Sequence, residues 1–111
     1  MNYPVIIQPP ARNEMEEAYR WIAERSPTRA AAWLNGLQRA INTLEAYPQR
    51  CPLARENEAF REEVRHLLYG RGRGTYRIVF VIRGGSVYVI SIRHSARQPL
   101  SPEEFGDIEG V

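Results

Sequence analysis

The sequence predicts a single α+β domain in which a helical hairpin packs on one face of a mainly antiparallel sheet. Apolar residues recur at helical spacing in the first half of the chain, whereas short runs rich in apolar residues place alternate side chains on two faces at strand spacing in the second half. Neither a repeat nor a linker divides the 111 residues, and 43% of them are hydrophobic, as in ordinary globular proteins. We therefore expect one domain, residues 1–111, with the element order β-α-α-β-β-β.

The first strand and the first helix are predicted from an apolar run and a helical stripe. Residues 3–8, "YPVIIQ", form the strand, and Pro9 and Pro10 mark its end. The helix carries apolar residues at i, i+3, i+4 and i+7, namely Met15, Ala18, Tyr19 and Ile22. This spacing gathers them on one buried face.

The second helix is predicted from Pro27 to about Ala46. Ser26 can cap it and Pro27 can occupy its first position, where no N–H is needed. Its apolar seam consists of Ala30, Leu34, Leu37, Ile41 and Leu44, and Pro48 ends it. The very short connection predicts a helical hairpin, since a seam of about two heptads is too short to favour a coiled coil.

Three strands and a basic turn are predicted for the second half of the chain. After a charged loop, the strands cover residues 64–69, 76–83 and 87–92. Gly84 and Gly85 predict a tight hairpin because glycine adopts positive φ without steric cost. The "GRGRG" stretch, residues 70–74, precedes a strand rather than a helix, which favours another hairpin connection over a phosphate-binding loop. A short final helix capped by Ser101 is predicted from "SPEE".

The positive charge of the chain is concentrated in one block. Seven arginines and no acidic residue lie between Arg65 and Arg97, although the formal net charge is only +2. Such a block can bind nucleic acid or an acidic protein segment, and it can equally form a solvated face. Alternation in the strand predicts that Arg77 points outward if the neighbouring aromatic residues meet the helices.

Metal-free cleavage of RNA is the enzymatic interpretation of this region. Such cleavage needs a base, an acid and a cation beside the phosphate. His94 could serve either proton role, with Arg77 or Arg97 as the cation. A strand-end histidine that is bonded to the backbone is the structural alternative.

No metal, cofactor or membrane-spanning segment is predicted. His66, His94 and the single cysteine, Cys51, lack the close pairing of zinc ligands, and one cysteine cannot form an internal disulfide. No apolar run approaches the roughly 20 residues that span a bilayer. We therefore expect a cytoplasmic protein without a cofactor.

The element order and three sequence stretches resemble the RelE/ParE superfamily of bacterial toxins. The stretches are "EMEEAYRWIAE", "SPTRAAAWLNGLQRAINTLEAYP" and "YRIVFVIRGGSVYVISIRH", and the resemblance extends from about Tyr3 to Arg97. It implies a toxin of a type II toxin-antitoxin pair, as in plasmid stabilisation, that is neutralised by an antitoxin with a helical and an extended segment. RelE-like members cut mRNA in the ribosomal A site, whereas ParE-like members poison DNA gyrase and are not nucleases.

Residue by residue, the resemblance favours the ParE-like branch. Arg77 matches a strand arginine that occurs in both branches, but Ser95 and Ser101 fall where the ribonucleases have an arginine and a tyrosine. The "IRHSAR" stretch resembles the ParE-like strand end. We therefore expect a gyrase-binding protein that contacts its target or its antitoxin through Arg71, Arg73, Arg77, Arg93, His94 and Arg97.

Two alternatives and the oligomeric state stay open at this point. The first alternative is a metal-independent, ribosome-dependent endoribonuclease with Arg77, His94 and Arg97 as candidate catalytic residues. The second is a non-toxic relative that only binds a partner. The sequence leaves open whether the chain forms a homodimer.

Overall fold

The helices and strands follow one another in the order that the sequence predicts. The computed structural model describes residues 2–105. Its regular elements are β1 (Val5–Ile7), α1 (Pro9–Arg25), α2 (Pro27–Asn42), β2 (Arg65–Tyr69), β3 (Tyr76–Arg83), β4 (Ser86–His94) and α3 (Pro102–Phe105). Among these described residues, no helix is long and apolar enough to cross a bilayer.

The four strands form one mixed sheet with the order β1-β4-β3-β2. Strand β1 runs parallel to β4, while β2, β3 and β4 pair antiparallel. Helices α1 and α2 pack against each other and cover one face of this sheet. The predicted single α+β domain with a helical hairpin on a mainly antiparallel sheet is confirmed.

The helix boundaries follow from proline and from one serine cap. Pro9 and Pro10 end β1 and also begin α1, because a fixed φ and a missing N–H suit the first helical turn. The side chain of Ser26 accepts a hydrogen bond from the backbone N–H of Arg29 at 3.2 Å, as predicted for the start of α2. Helix α2 ends at Asn42 rather than at about Ala46 as predicted, because the chain tightens into a 3-10 turn at Thr43–Glu45.

Two apolar layers sandwich the sheet, although only the layer beneath the helices was predicted. The helix-side layer includes Met15 and Leu37 from the hairpin and Phe80 from β3. The opposite layer consists of Ala54, Val64, Val79, Val81, Tyr88, Ile90 and Leu100. It is covered by residues 54–63, which we call the covering segment, and by the chain around Leu100. The predicted charged loop is therefore part of the packed structure.

Glycine conformations set both hairpin connections of the sheet. Gly84 and Gly85 have φ of +54° and +81°, which confirms the tight β3–β4 turn. The longer β2–β3 connection begins at Gly70, whose φ is +102°. It joins paired residues Tyr69 and Tyr76, so the predicted hairpin role of "GRGRG" is confirmed.

A β-bulge changes which side chains of β4 share a face. Phe80 pairs with Val89, whereas its neighbour Val79 pairs with Ser91, so Ile90 is the extra residue. As a result Ile90 packs in the layer opposite the helices, while Ile92 packs beneath them. The strict alternation predicted for residues 87–92 was wrong at this point, because the bulge shifts the register by one residue.

Candidate binding surface at the end of the sheet

Two of the predicted binding residues are buried. Arg77 and Arg93 are register partners on β3 and β4, with 1% and 3% of their surface exposed. Arg77 lies among the outer-layer strand residues, away from the helices, as its alternation predicts. The expectation that it points into solvent was wrong, because the covering segment lies over that face.

A carboxylate from the covering segment binds Arg77 through both of its oxygens. Glu56 Oε1 and Oε2 accept hydrogen bonds from Arg77 Nη1 and Nη2 at 2.9 and 2.6 Å, and Glu56 is 1% exposed. Oε2 also accepts from the backbone N–H of Leu100 at 2.8 Å. Burial alone would raise the pKa of Glu56, but the hydrogen bonds from Arg77 and Leu100 outweigh it and lower that pKa to about 2.

His66 is a further neighbour of the buried guanidinium. Its Nδ1 lies 3.3 Å from Arg77 Nη1. Burial and the charge of Arg77 both lower the pKa of His66, which favours a neutral ring whose Nδ1 accepts the bond. With a carboxylate on one side and an imidazole on the other, Arg77 has no accessible guanidinium edge to offer a phosphate.

Arg93 is held by the C-terminal segment and by Glu14 of α1. Its Nη1 donates to the carbonyl of Gln98 at 2.7 Å, and its Nη2 lies 3.2 Å from Glu104 Oε2 and 3.6 Å from Glu14 Oε2. Arg97 Nη1 also binds Glu14 Oε2, at 3.0 Å. The two arginines therefore tie α1 to α3 rather than forming a free basic patch.

The role of Glu14 is not indicated by any pattern in the sequence. Strand β1 ends at Ile7, which pairs with Val89, so among residues 2–105 no strand lies beside the outer edge of β4 beyond Val89. Glu14 Oε1 accepts hydrogen bonds there from the Ile92 N–H at 3.1 Å and from Ser91 Oγ at 2.9 Å. Several acids crowd this part of α1, and no pattern distinguishes Glu14 from its neighbours.

Both ring nitrogens of His94 are engaged by the backbone. Nδ1 accepts from the Ala96 N–H at 3.1 Å, which assigns the proton to Nε2, and Nε2 donates to the carbonyl of Arg73. The ring also meets Tyr76 edge-on, with the centroids 5.3 Å apart. This is the arrangement of a backbone-bonded histidine at a strand end, and it fastens β4 to the basic turn.

Four of the six predicted binding residues meet at one open pocket of about 770 Å³ between α1 and the end of β4. We call it the α1–β4 pocket. It is lined by the predicted residues Arg73, Arg93, His94 and Arg97 together with Glu14 and Glu17 of α1. Neither Arg71 nor Arg77 lines it. The structure thus brings the turn and the strand end together, as the sequence predicts, but with acidic residues on the opposite wall.

Aromatic residues that the sequence did not single out complete this pocket. Trp33 lies edge-on to Tyr76 with centroids 5.2 Å apart, and the pair forms part of the lining. Trp21 is 56% exposed, and the guanidinium carbon of Arg25 lies 3.7 Å from its ring centroid. One signal was present in the sequence, because Trp21 falls outside the apolar stripe of α1 and is therefore a tryptophan with no predicted core position.

A second concavity lies between the two long helices. Met15, Tyr19 and Leu34 contribute apolar side chains to a groove of about 320 Å³ whose sides include Glu16 and Arg20. We call it the hairpin groove. It lies on the helical hairpin, and its apolar side chains come from both long helices. Among residues 2–105, no three His, Cys, Asp or Glu side chains are grouped so that they could hold a metal ion.

Comparison with known proteins identifies a family. The model of a family described as "ParE toxin of type II toxin-antitoxin system, parDE" matches residues 5–99. The matched range includes both long helices and all four strands. No curated protein matches the chain.

Proposed function

Because the chain belongs to the ParE toxin family of type II toxin-antitoxin systems, we propose that it acts by poisoning DNA gyrase and that it does so as a binding protein rather than as a nuclease. Membership of this family implies an antitoxin partner. Gyrase as the target is our inference. It is supported by the ParE-like features of the sequence and by the contacts that already engage the candidate catalytic residues.

The burial of Arg77 is the observation that carries the proposal. A ribonuclease needs a cation that reaches the scissile phosphate as negative charge develops on it. Arg77 is 1% exposed, and Glu56 already occupies two of its N–H groups. Placing RNA there would require breaking a buried ion pair and lifting the covering segment.

The state of His94 supports the same conclusion. A general base must have a free lone pair within hydrogen-bond reach of the proton that it removes. Nδ1 of His94 accepts from the Ala96 N–H, and Nε2 donates to the carbonyl of Arg73. Its remaining neighbour in the predicted catalytic set, Arg97, is paired with Glu14. These contacts suit a scaffold for binding better than a proton-transfer site.

The antitoxin is proposed to place an amphipathic helix in the hairpin groove. The groove offers apolar side chains from both helices and charged side chains of both signs at its sides. A helix with apolar residues at i, i+3, i+4 and i+7 matches this combination. The groove lies on α1 and α2, away from the buried Arg77, so neutralisation does not depend on the candidate catalytic residues.

The proposal is tested by measuring supercoiling and mRNA cleavage with the same preparation. The protein is titrated against purified gyrase on relaxed plasmid, and linear DNA from trapped cleavage complexes is scored. We expect inhibition and linear DNA, both reversed by the antitoxin, together with intact translated mRNA. Cuts at codon boundaries with unaffected gyrase would refute the proposal, and a chain without either effect would be a partner-binding relative.

A double variant, Arg77→Met with Glu56→Met, is the matched control. It removes both buried charges together and keeps similar apolar volume, a replacement that is often neutral for stability. Because neither side chain is exposed, the folded variant should inhibit gyrase as the wild type does. Loss of activity in a variant with an unchanged thermal midpoint would assign Arg77 a direct role instead.

A further inference from the structure

The floor of the α1–β4 pocket is apolar and open. It consists of Ala18 and Ile22 from α1, Trp33 from α2, and Tyr76 and Ile92 from the sheet. Its volume of about 770 Å³ is within the range of sites that hold drug-sized ligands. A partner can therefore place more than one side chain in it.

Two tryptophans that line the pocket favour contact with a partner. Trp21 stands at the rim with 56% of its surface exposed, and tryptophan is a residue that interfaces favour. Trp33 is half-buried and lies in the floor, where its ring presents an aromatic surface to a partner.

The charges at the rim differ from one wall to the other. Arg73, on the basic turn, is exposed and has no acidic partner within 4 Å among the described residues. Across the pocket, Glu17 is exposed on α1, while Glu14 is engaged by Arg97 and Arg93. A bound carboxylate is therefore attracted to the turn and repelled from the α1 wall.

We propose that the α1–β4 pocket binds an acidic and apolar segment of the antitoxin. One large apolar side chain of that segment lies on the floor against Trp33 and Tyr76, and a neighbouring carboxylate pairs with Arg73. The inference rests on neutralisation by an antitoxin, which is part of the proposed function, but it does not depend on gyrase being the target.

The position of the pocket relative to the hairpin groove supports this occupant. The pocket lies against residues 14, 17, 18 and 21 of α1, and the groove lies against residues 15, 16, 19 and 20. The two sites therefore flank the same helix. An antitoxin with a helix in the groove and a following segment in the pocket would hold α1 from both sides.

Charge reversal at two neighbouring arginines tests the polar part of the proposal. Arg73→Glu and Arg71→Glu alter the net charge equally and lie in the same exposed turn, but only Arg73 lines the pocket. Calorimetric titration with the purified antitoxin should show binding weakened about 30-fold or more for Arg73→Glu, as for an interface hot spot. Arg71→Glu should weaken it about threefold or less, as for a screened surface charge.

Filling the floor tests the apolar part. Ala18→Phe occupies the pocket, whereas Ala31→Phe adds the same group to an exposed position of α2 that lines neither concavity. We expect Ala18→Phe to weaken antitoxin binding about 30-fold or more and Ala31→Phe to leave it unchanged. The thermal midpoints of both variants should stay close to that of the wild type. The proposal would be overturned if Arg73→Glu weakened antitoxin binding no more than Arg71→Glu, and Ala18→Phe no more than Ala31→Phe. Lost gyrase inhibition with unchanged antitoxin affinity would also overturn it, because the pocket would then serve the target.

Discussion

Replacing Glu56 by glutamine should destabilise the protein more than replacing any other glutamate of the covering segment. The variant keeps an oxygen that can accept from the Leu100 N–H, but it leaves Arg77 charged and buried without a counter-ion. Removing one partner of a buried ion pair typically costs about 3 to 5 kcal/mol. The ion pair itself need not stabilise the fold by that amount, because most of the loss comes from the uncompensated charge.

The pKa of Glu56 gives an independent magnitude. Lowering it from 4.5 to about 2 corresponds to about 3 kcal/mol, at 1.36 kcal/mol per unit. Because the folded state has the lower pKa, this contribution is complete above pH 4.5 and is lost as the pH falls towards 2. The stability difference between wild type and Glu56→Gln should therefore be about 3 kcal/mol at pH 7 and should shrink towards zero near pH 2.

Glu62 supplies the matched control within the same covering segment. It also binds an arginine of β3 through both oxygens, but the Glu62 and Arg83 side chains are 32% and 29% exposed. Exposed pairs contribute about 1 kcal/mol or less. Glu62→Gln should consequently change the free energy of unfolding far less than Glu56→Gln does.

Urea denaturation at a series of pH values measures both differences. The slope of free energy against urea should stay the same in the variants, since the surface exposed on unfolding does not change. Equal losses in the free energy of unfolding for Glu56→Gln and Glu62→Gln at pH 7 would refute the role assigned to the buried Glu56–Arg77 ion pair. A difference between wild type and Glu56→Gln that persists at pH 2 would refute it as well.

Two glycine substitutions test the close packing and the turn geometry. An added Cβ at Gly36 would lie 2.1 Å from the Tyr69 hydroxyl, so Gly36→Ala should cost about 1 to 2 kcal/mol in spite of the better helix propensity of alanine, measured by thermal unfolding. At Gly70, φ is +102° and the Cβ would lie 2.6 Å from the carbonyl oxygen of Gly74, so Gly70→Ala should cost about 1 to 3 kcal/mol. In the same turn, an added Cβ at Gly74 would meet nothing within 4 Å among the described residues, so Gly74→Ala should be close to neutral. Similar losses for Gly70→Ala and Gly74→Ala would contradict this explanation.

Local patterns in the sequence were sufficient to predict the elements and their order. Ser26 and Pro27 specify the start of α2 through one side-chain hydrogen bond and one missing N–H. Gly84 and Gly85 specify a turn that requires positive φ at both positions. Each of these signals acts over a few residues, so a single sequence displays it completely.

The environment of the arginines could not be predicted, because it depends on contacts between distant parts of the chain. Glu56 precedes Arg77 by 21 residues, and Glu14 precedes Ser91 by 77. A carboxylate that binds a buried arginine and one that is solvated look the same in sequence. The bulge at Ile90 was equally hidden, since Tyr88, Ile90 and Ile92 keep a perfect alternation in the sequence.

The ion pairs of the fold also change the interpretation of the arginine block. Five of its seven members are paired with acids from outside the block: Arg65, Arg77, Arg83, Arg93 and Arg97. Of these seven arginines, only Arg71 and Arg73 have no acid within 4 Å among residues 2–105, and both lie on the glycine-rich turn. The charge asymmetry seen in the sequence is therefore largely neutralised inside the fold. The arginines left for a partner lie on a short basic turn beside an aromatic pocket. A charge change at Arg73, which lines that pocket, should therefore affect binding, while changes at the buried strand arginines should affect stability.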